Sequence, residues 1–506
     1  MAPALPVPGR RDGRGRMGSA PCGRNMTGGG LDCRGGSRRG GRRAIGRTKG
    51  RGMTSVLAML YLVLFSALAL GFYAQTNLGA QVAGNEERVL AAQVAAESGL
   101  QFMRYQVSLV QIAPTVPREQ IFENIYNQLS AHMDGTMNLG PRIVGYTAGA
   151  APSIDVPAAP DQFIPLHQNG TRFRATITPL TNGKVRIKTV GRSPGGKITR
   201  AIAMDFVESP IRSPVLDYGV ATRGQVNLSK GYIYGSPAQS RGSVLTTDTT
   251  TGSPITLSSG AAIGGEAYLT RAGGWVAGDG SIAGESDPSV RSAYVHPGTA
   301  APEFPSADPS AYISYLVGKE TLVTTSSPPS ALSNIRVQAG VNPTFAGGGT
   351  YDGVILIEAP NVVTFSGGCT VRGVIVVANP DEASAGNTIV FSGGSTFLGP
   401  ELLPPSYAPL TDMTGTGILA PNFSIEMTGG ASSVAGSVLA KGLTISGGAI
   451  GTVKGGVILS GTSTLSMSGS GTLTVAENPG APSIPTGMRF THTYAPYPAT
   501  YVEIAQ

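Results

Sequence analysis

Catalysis by this chain would have to come from very few residues. Its four histidines, His132, His167, His296 and His492, are far apart in sequence, and no HxxxH, HExxH or nucleophile-elbow pattern occurs. Acid–base work on a polysaccharide, or calcium binding, needs clustered carboxylates. The best-placed acids are Asp352, Glu358, Asp381 and Glu382, the last two in a Pro-containing insertion that reads as a solvated loop, and residues 427–476 hold no Asp or Glu. Gly278-Asp279-Gly280 is followed by no strand-to-helix transition, so it makes no phosphate or dinucleotide loop. Cys22 and Cys33 have the wrong spacing for a zinc ribbon, and Cys369 is the only other cysteine. The expectation is a protein that is not an enzyme, with no cofactor, metal or small-molecule substrate; an exported carbohydrate-active enzyme is the weakest of three alternatives.

Basic residues offer a different chemistry. Arg172, Arg174, Lys184, Arg186, Lys188, Arg192, Lys197 and Arg200 follow one another with no acid until Asp205, several alternating with Phe173, Ile177, Val185 and Ile187. Alternation gathers such charges on one sheet face, where they could meet a polyanion or surface glycan. No aromatic platform is interleaved, and a plain solvated face explains them as well.

The elements that position these residues begin with a membrane span. Residues 52–85 carry no charge, and the 20 residues 54–73, with Thr54, Leu57, Leu60, Leu64, Leu68 and Tyr73 along them, rise about 30 Å as a helix, the thickness of a bilayer core. Residues 1–51 hold 13 Lys/Arg against Asp12 and Asp32, for a net +11 that accounts for the high overall pI. Positive flanks stay cytoplasmic, so the expectation is a single-pass inner-membrane protein with its bulk periplasmic or at the cell surface. Ala67-Leu68-Ala69 imitates a signal-peptidase site, but the apolar run exceeds the usual ~7–15 residues, which favours an uncleaved or N-terminally trimmed anchor. The Gly/Arg-rich leader, 1–52, cannot bury a core and is expected to be disordered.

Beyond the span, Val82, Val89, Ala96, Met103 and Val110 recur every seven residues, predicting an amphipathic helix to about Ile112, before Pro114. The basic leader ending Arg51-Gly52, the uncharged core, Gly84-Asn85-Glu86-Glu87 and the box Ala95-Ala96-Glu97-Ser98-Gly99-Leu100 together resemble the N-terminal region of PilX-like minor pilins and type II secretion pseudopilins. The resemblance covers about residues 51–112. It implies prepilin cleavage between Gly52 and Met53 and pilin or pseudopilin partners. The chain departs from the family at Leu57, where most pilins carry glutamate.

A short helix over 118–133 and three strands, near 171–178, 184–190 and 198–207, predict an antiparallel meander. From about Val215 the grammar changes to VTFSGG, IVFSGG, IEMTGG, LTISGG and LSMSGS, most followed by a segment such as GVILI or GVIVV, with two intervals of 20 residues. Short strands and Gly-Gly corners at that period predict a β-solenoid; a β-sandwich is the alternative.

The fold class expected is therefore mainly β: a long membrane and amphipathic helix (53–112), a helix-plus-meander region (113–214), a Gly-rich solenoid (215–476) with an insertion looped out near 296–330, and a C-terminal tail (477–506). By resemblance the chain is an accessory subunit of a type IV pilus or type II secretion system. The remaining alternative is an envelope scaffold or adhesin outside any filament.

Overall fold

A computed structural model describes residues 51–136, 139, 143–166, 170–181, 183–382, 386–478 and 484–504, without the side chains of 51–54 and 431. The leader, expected to be disordered, lies outside the described residues up to 50, as do His167 and Asn182, between the first two predicted meander strands. The chain divides into two units, Met1–Ala80 and Gln81–Gln506, and one helix is assigned from Arg51 to Ser108.

In the second unit the predicted stripe is buried from Ala96 onward, and Ala92, outside that stripe, is buried as well. Ala92, Ala96, Leu100, Met103 and Val107 are covered, whereas Val82 is exposed. The helix stops four residues before the expected Ile112. Leu109 and Val110 tighten onto Gln106 and Val107, and Ile112 instead exchanges two backbone hydrogen bonds with His492, at 2.9 and 3.1 Å. The second helix lies where the sequence places it, as a turn at Arg118–Gln120 and a helix at Ile121–Met133.

The meander is present as Arg172–Pro179, Val185–Arg192 and Thr199–Pro210. On the first two strands every other residue is buried, Phe173, Ala175 and Ile177, then Val185, Ile187 and Thr189; on the third all of 201–206 are buried, with Ile202, Met204 and Phe206 facing the helix, and the apolar residues of that side share one core with the helix stripe. The sheet is wider than expected at both edges. Gly145–Thr147 and Ser153–Val156 extend one side, and His492–Ile504 pairs antiparallel with Thr199–Pro210 on the other. The expected C-terminal tail is thus corrected. The open edge of the 199–210 strand demands a ladder partner, and Pro496 and Pro498 disguise the strand that supplies it.

The solenoid expectation holds over the sandwich, because the strands from Val220 to Ala476, apart from Ser306–Ala307 in the crossover, pair in parallel with strands one coil away. Each regular coil contributes three strand segments. Thr350–Ile357 pairs with Thr370–Val377 through eight consecutive residues, the predicted 20-residue period. Inside, Phe345, Phe365 and Phe391 stack with centroids 5.0 and 5.7 Å apart. The Gly-Gly motifs are two-residue corners: Gly447 and Gly448 have φ of 65° and 74°, and the equivalent glycine pairs of neighbouring coils share the left-handed conformation that glycine adopts without strain.

Coil order does not follow the sequence. Val220–Thr222 lies between Val244–Thr246 and Val457–Leu459, so the last coil of the chain stacks on the first. The chain climbs from 220 to the end strand Val295–Pro297, crosses back, and rebuilds from Thr321–Val323 at the opposite end. The insertion near 296–330 therefore does not loop out. Phe304 and the helix residues Tyr312, Tyr315 and Leu316 (helix Ser310–Leu316) are buried against Val354, Leu356, Val374 and Val376. That crossover explains why the 354–357 and 374–377 segments are apolar on both faces: Ile355 and Ile357 fill the coil interior while Val354 and Leu356 meet the crossover.

Candidate functional site

Three surfaces could carry a function: the apolar helix, the basic sheet face and the coil faces. In the first unit the helix is long and apolar enough to cross a bilayer, and none of its most apolar stretch is buried. Leu57, Leu60, Leu64, Leu68 and Tyr73 are exposed all around it, and Ala67 and Gly71 supply the small residues through which membrane helices approach each other. Gly52 and Met53 lie in its first turn; Thr54 follows, its side chain outside the described set.

In the second unit the sheet grips the helix through close backbone approach. A Cβ on Gly191 would sit 2.0 Å from the Ala92 carbonyl and 2.3 Å from the Ala96 nitrogen. Beside it the Thr189 hydroxyl donates to the Ala96 carbonyl at 2.9 Å. Gly99 of the helix box is held the same way, against the ring of Phe173. The Ala-Ala-Glu-Ser-Gly-Leu box is therefore small on its inner face because a sheet lies directly upon it.

The basic face is only partly assembled and largely compensated. Arg172, Arg174, Arg186, Lys188 and Arg192 share the side facing away from the helix. Arg200 does not, since it lies opposite Gly191, whose side is the helix side; a strand's period of two puts it there, correcting the expectation that all eight cations gather. Arg174 pairs with Asp155 at 3.2 Å, and Arg186 binds Asp205 through two hydrogen bonds of 2.6 and 3.1 Å. Arg192 donates to the Gly196 carbonyl and lies over Phe163, and Lys184 lies over Tyr497. Arg172, Lys197 and Arg200 are the most exposed members apart from Arg186. Asp155 and Tyr497 come from strands outside the basic run, so sequence order concealed this compensation.

Two of the acids weighed for catalysis, Asp352 and Glu358, tie neighbouring coils together. Asp352 takes two hydrogen bonds from Arg372 one coil along, at 2.7 and 2.6 Å, and Glu358 pairs with Arg336 at 2.7 Å. Glu382 accepts from the Asn379 amide, with Asp381 preceding it in the same loop, and among the described residues no group of three or more His, Cys, Asp or Glu is placed to hold a metal ion. Of the histidines, His132 lies in the last turn of the second helix, His296 bonds Glu266 at 2.9 Å, and His492 is buried at the start of the strand that pairs with Thr199–Pro210. Glu266 is held below the usual carboxylate range by the Tyr268 hydroxyl, and that phenol is pushed up to about 12 in return. Cys369 is buried with its sulfur against the Phe345 and Ser366 carbonyls, and burial pushes its thiol up, away from reactive thiolate.

One coil face presents a feature the repeat implied but did not reveal. Thr350, Thr370, Thr396, Ser433, Thr452, Thr474 and Tyr234 are aligned, each directly beside the next in the parallel ladder. All lie outside the buried core, forming a hydroxyl row with a rung about every 4.8 Å. Thr370 and Thr396 stand two positions after their motif glycines, but Ser433 and Thr452 stand three and four after theirs, so no single offset in the sequence announces the row.

No family model and no curated protein matches the chain. Among solved structures it is similar to an ice-binding protein from the Antarctic ascomycete Antarctomyces psychrotrophicus, at 16% identity and a TM-score of 0.23, covering 53% of this chain and 98% of that one. It is also similar to the competence-associated pilin ComZ from Thermus thermophilus, at 12% identity and a TM-score of 0.22, covering 83% of this chain and 98% of that one.

Proposed function

We propose that the protein is a membrane-anchored structural protein of the bacterial envelope, an accessory pilin-like subunit of a type IV pilus or type II secretion system that displays a β-solenoid. The observation that carries this reading is the division of labour along one helix. Its first part is apolar and exposed on every side, while from Ala92 its inner face is sealed beneath an antiparallel sheet. An ordinary anchor needs the first property only; a subunit that inserts into a helical filament core while presenting a folded head needs both. The basic leader sets the N-terminus in the cytoplasm and the head outside.

Replacing Ala67 and Gly71 by leucine should leave the head folded and membrane-bound while abolishing co-purification with pilus or pseudopilus components, because bulk at those positions prevents close helix approach. A reporter that fluoresces only in the cytoplasm should be dark at Gln506 and bright before Met53; a bright C-terminal fusion would overturn the topology.

A second reading, an anchored scaffold or adhesin outside any filament, is favoured by Leu57 in place of the pilin glutamate and by the hydroxyl row as a contact surface. Wild-type protein that never co-purifies with such components would select it.

A further inference from the structure

Strands at the end of a parallel stack face no further coil, and an exposed edge is a template for a strand of another chain. The solenoid's end coil consists of Val276–Gly278, Ser281–Ile282 and Val295–Pro297, each with a described coil partner on one side. Each edge is blunted in its own way. Ile282 and Glu285 exchange backbone hydrogen bonds of 2.9 Å across a tight turn, and Val295–Pro297 ends in a residue that has no N–H.

The edge of Val276–Gly278 is closed by a side chain. Trp275 donates its backbone N–H to the Gly252 carbonyl of the coil below, at 3.2 Å, and successive residues of a strand turn to opposite sides, so the Val276 and Gly278 carbonyls point out of the stack. Arg291, at the end of the short helix Pro288–Arg291, meets them. Its guanidinium donates to the carbonyls of Gly278 at 3.0 Å, Gly280 at 2.6 Å and Val276 at 3.3 Å. The residue is 7% exposed, and all its described partners are backbone carbonyls. Burying a cation among neutral acceptors is costly, so apolar packing does not explain the position. What a guanidinium offers is a planar fork of N–H donors. It presents to these carbonyls the kind of donors that the backbone of a further coil would present.

We propose that Arg291 is a stop: by occupying the carbonyls of the end coil, it keeps a second copy of this chain from stacking there. Left bare, the same carbonyls would favour any strand able to donate to them, because an unsatisfied buried acceptor costs more than a made hydrogen bond gains. The partner this geometry fits is the same end of a second copy, where Val276–Gly278 would run antiparallel to its twin about a two-fold axis. The inference concerns the folded head alone and stands under either reading of its function.

The test uses the full chain at one copy per lipid nanodisc, so that the membrane helices of two copies cannot meet, with pairing of discs followed by sedimentation velocity. Wild-type discs should stay single. Arg291→Leu, which removes every donor, should pair with an association constant raised at least roughly tenfold, the worth of one restored buried hydrogen bond. Arg291→Lys, which keeps the charge but not the fork, should lie between the two. Trp275, the chain's single tryptophan, is 57% exposed and lines with Arg291 a hollow of about 250 Å³ at this end. Its emission should therefore move to shorter wavelength as discs pair, which pairing elsewhere on the head would not cause. Folded variants that stay single, pairing that leaves the Trp275 emission unchanged, or wild-type discs that pair as readily as the variants would each overturn the proposal. So would loss of the folded head in both variants, because Arg291 would then hold its own coil rather than exclude a partner.

Discussion

His492 illustrates how much chemistry a single position acquires from its surroundings. It is 3% exposed, its backbone clasps Ile112, and its ring lies edge-on to Tyr494 at 6.0 Å. Burial lowers the imidazole below its ordinary 6.5; the nearby Glu208 carboxylate opposes that shift without reversing it, while Arg489 and Arg118 add to it. In the unfolded chain the same ring takes a proton near 6.5. Its contribution to stability is therefore complete above that pH and is lost as pH falls from 6.5 through the folded pKa. Thermal unfolding followed from pH 7.5 downward should show this loss in the wild type and a flatter profile in His492→Phe. Identical profiles would mean that other groups set the pH response. Nothing in the sequence around His492 signals its role, because its partners Ile112, Glu208 and Arg118 are remote.

Among the elements, the coil corner was the most legible and the seam the least. Gly447 and Gly448 both adopt positive φ, as do Gly429 and Gly430 and Gly367 and Gly368 in equivalent corners. Valine in that region is strongly disfavoured, so Gly447→Val with Gly448→Val should cost ~2–4 kcal/mol and lower the melting temperature of the head by several degrees. An unchanged melting temperature would show that these corners tolerate side chains and do not govern coil stacking. The motif spacing announced these corners because each glycine is required locally. The strand His492–Ile504 gave no such local sign: it exists because the Thr199–Pro210 edge is there to receive it. The stripe was legible for a related reason. Its heptad repeat marks a face to be covered, and Gly99 and Ala96 mark where the cover comes closest.

For the molecule as a whole, the folded head is stapled by contacts between distant parts of the chain. Val226 stacks between Ile255 and Leu465, so the first coil is completed by the last. Leu465 is fully buried, and Leu465→Ala should remove ~2–5 kcal/mol. Hydrogen exchange should then quicken in residues 220–229 as much as in 437–446. A sequential stack would spare 220–229, and that outcome would contradict the observed pairing. The crossover makes the same point, since its aromatic residues cover coils on either side of the junction. Cooperative unfolding of the head in one transition follows from this closure, in contrast to the piecewise melting open to a stack whose coils meet only sequence neighbours.

By itself the sequence determined whatever depends on near neighbours or on a fixed period. That includes the uncharged span after a basic leader, the heptad stripe, the three meander strands and the coil corners, each written in the spacing of charges, apolar residues and glycines. Tertiary structure alone decided the order of the coils, the return of the last strand to the first sheet, the compensation of Arg174 and Arg186, and the closing of the end coil by Arg291. The physical reason is common to all four. A ladder edge, a buried charge or a bare carbonyl requires a partner but not one nearby in sequence, and only the folded chain brings that partner into reach.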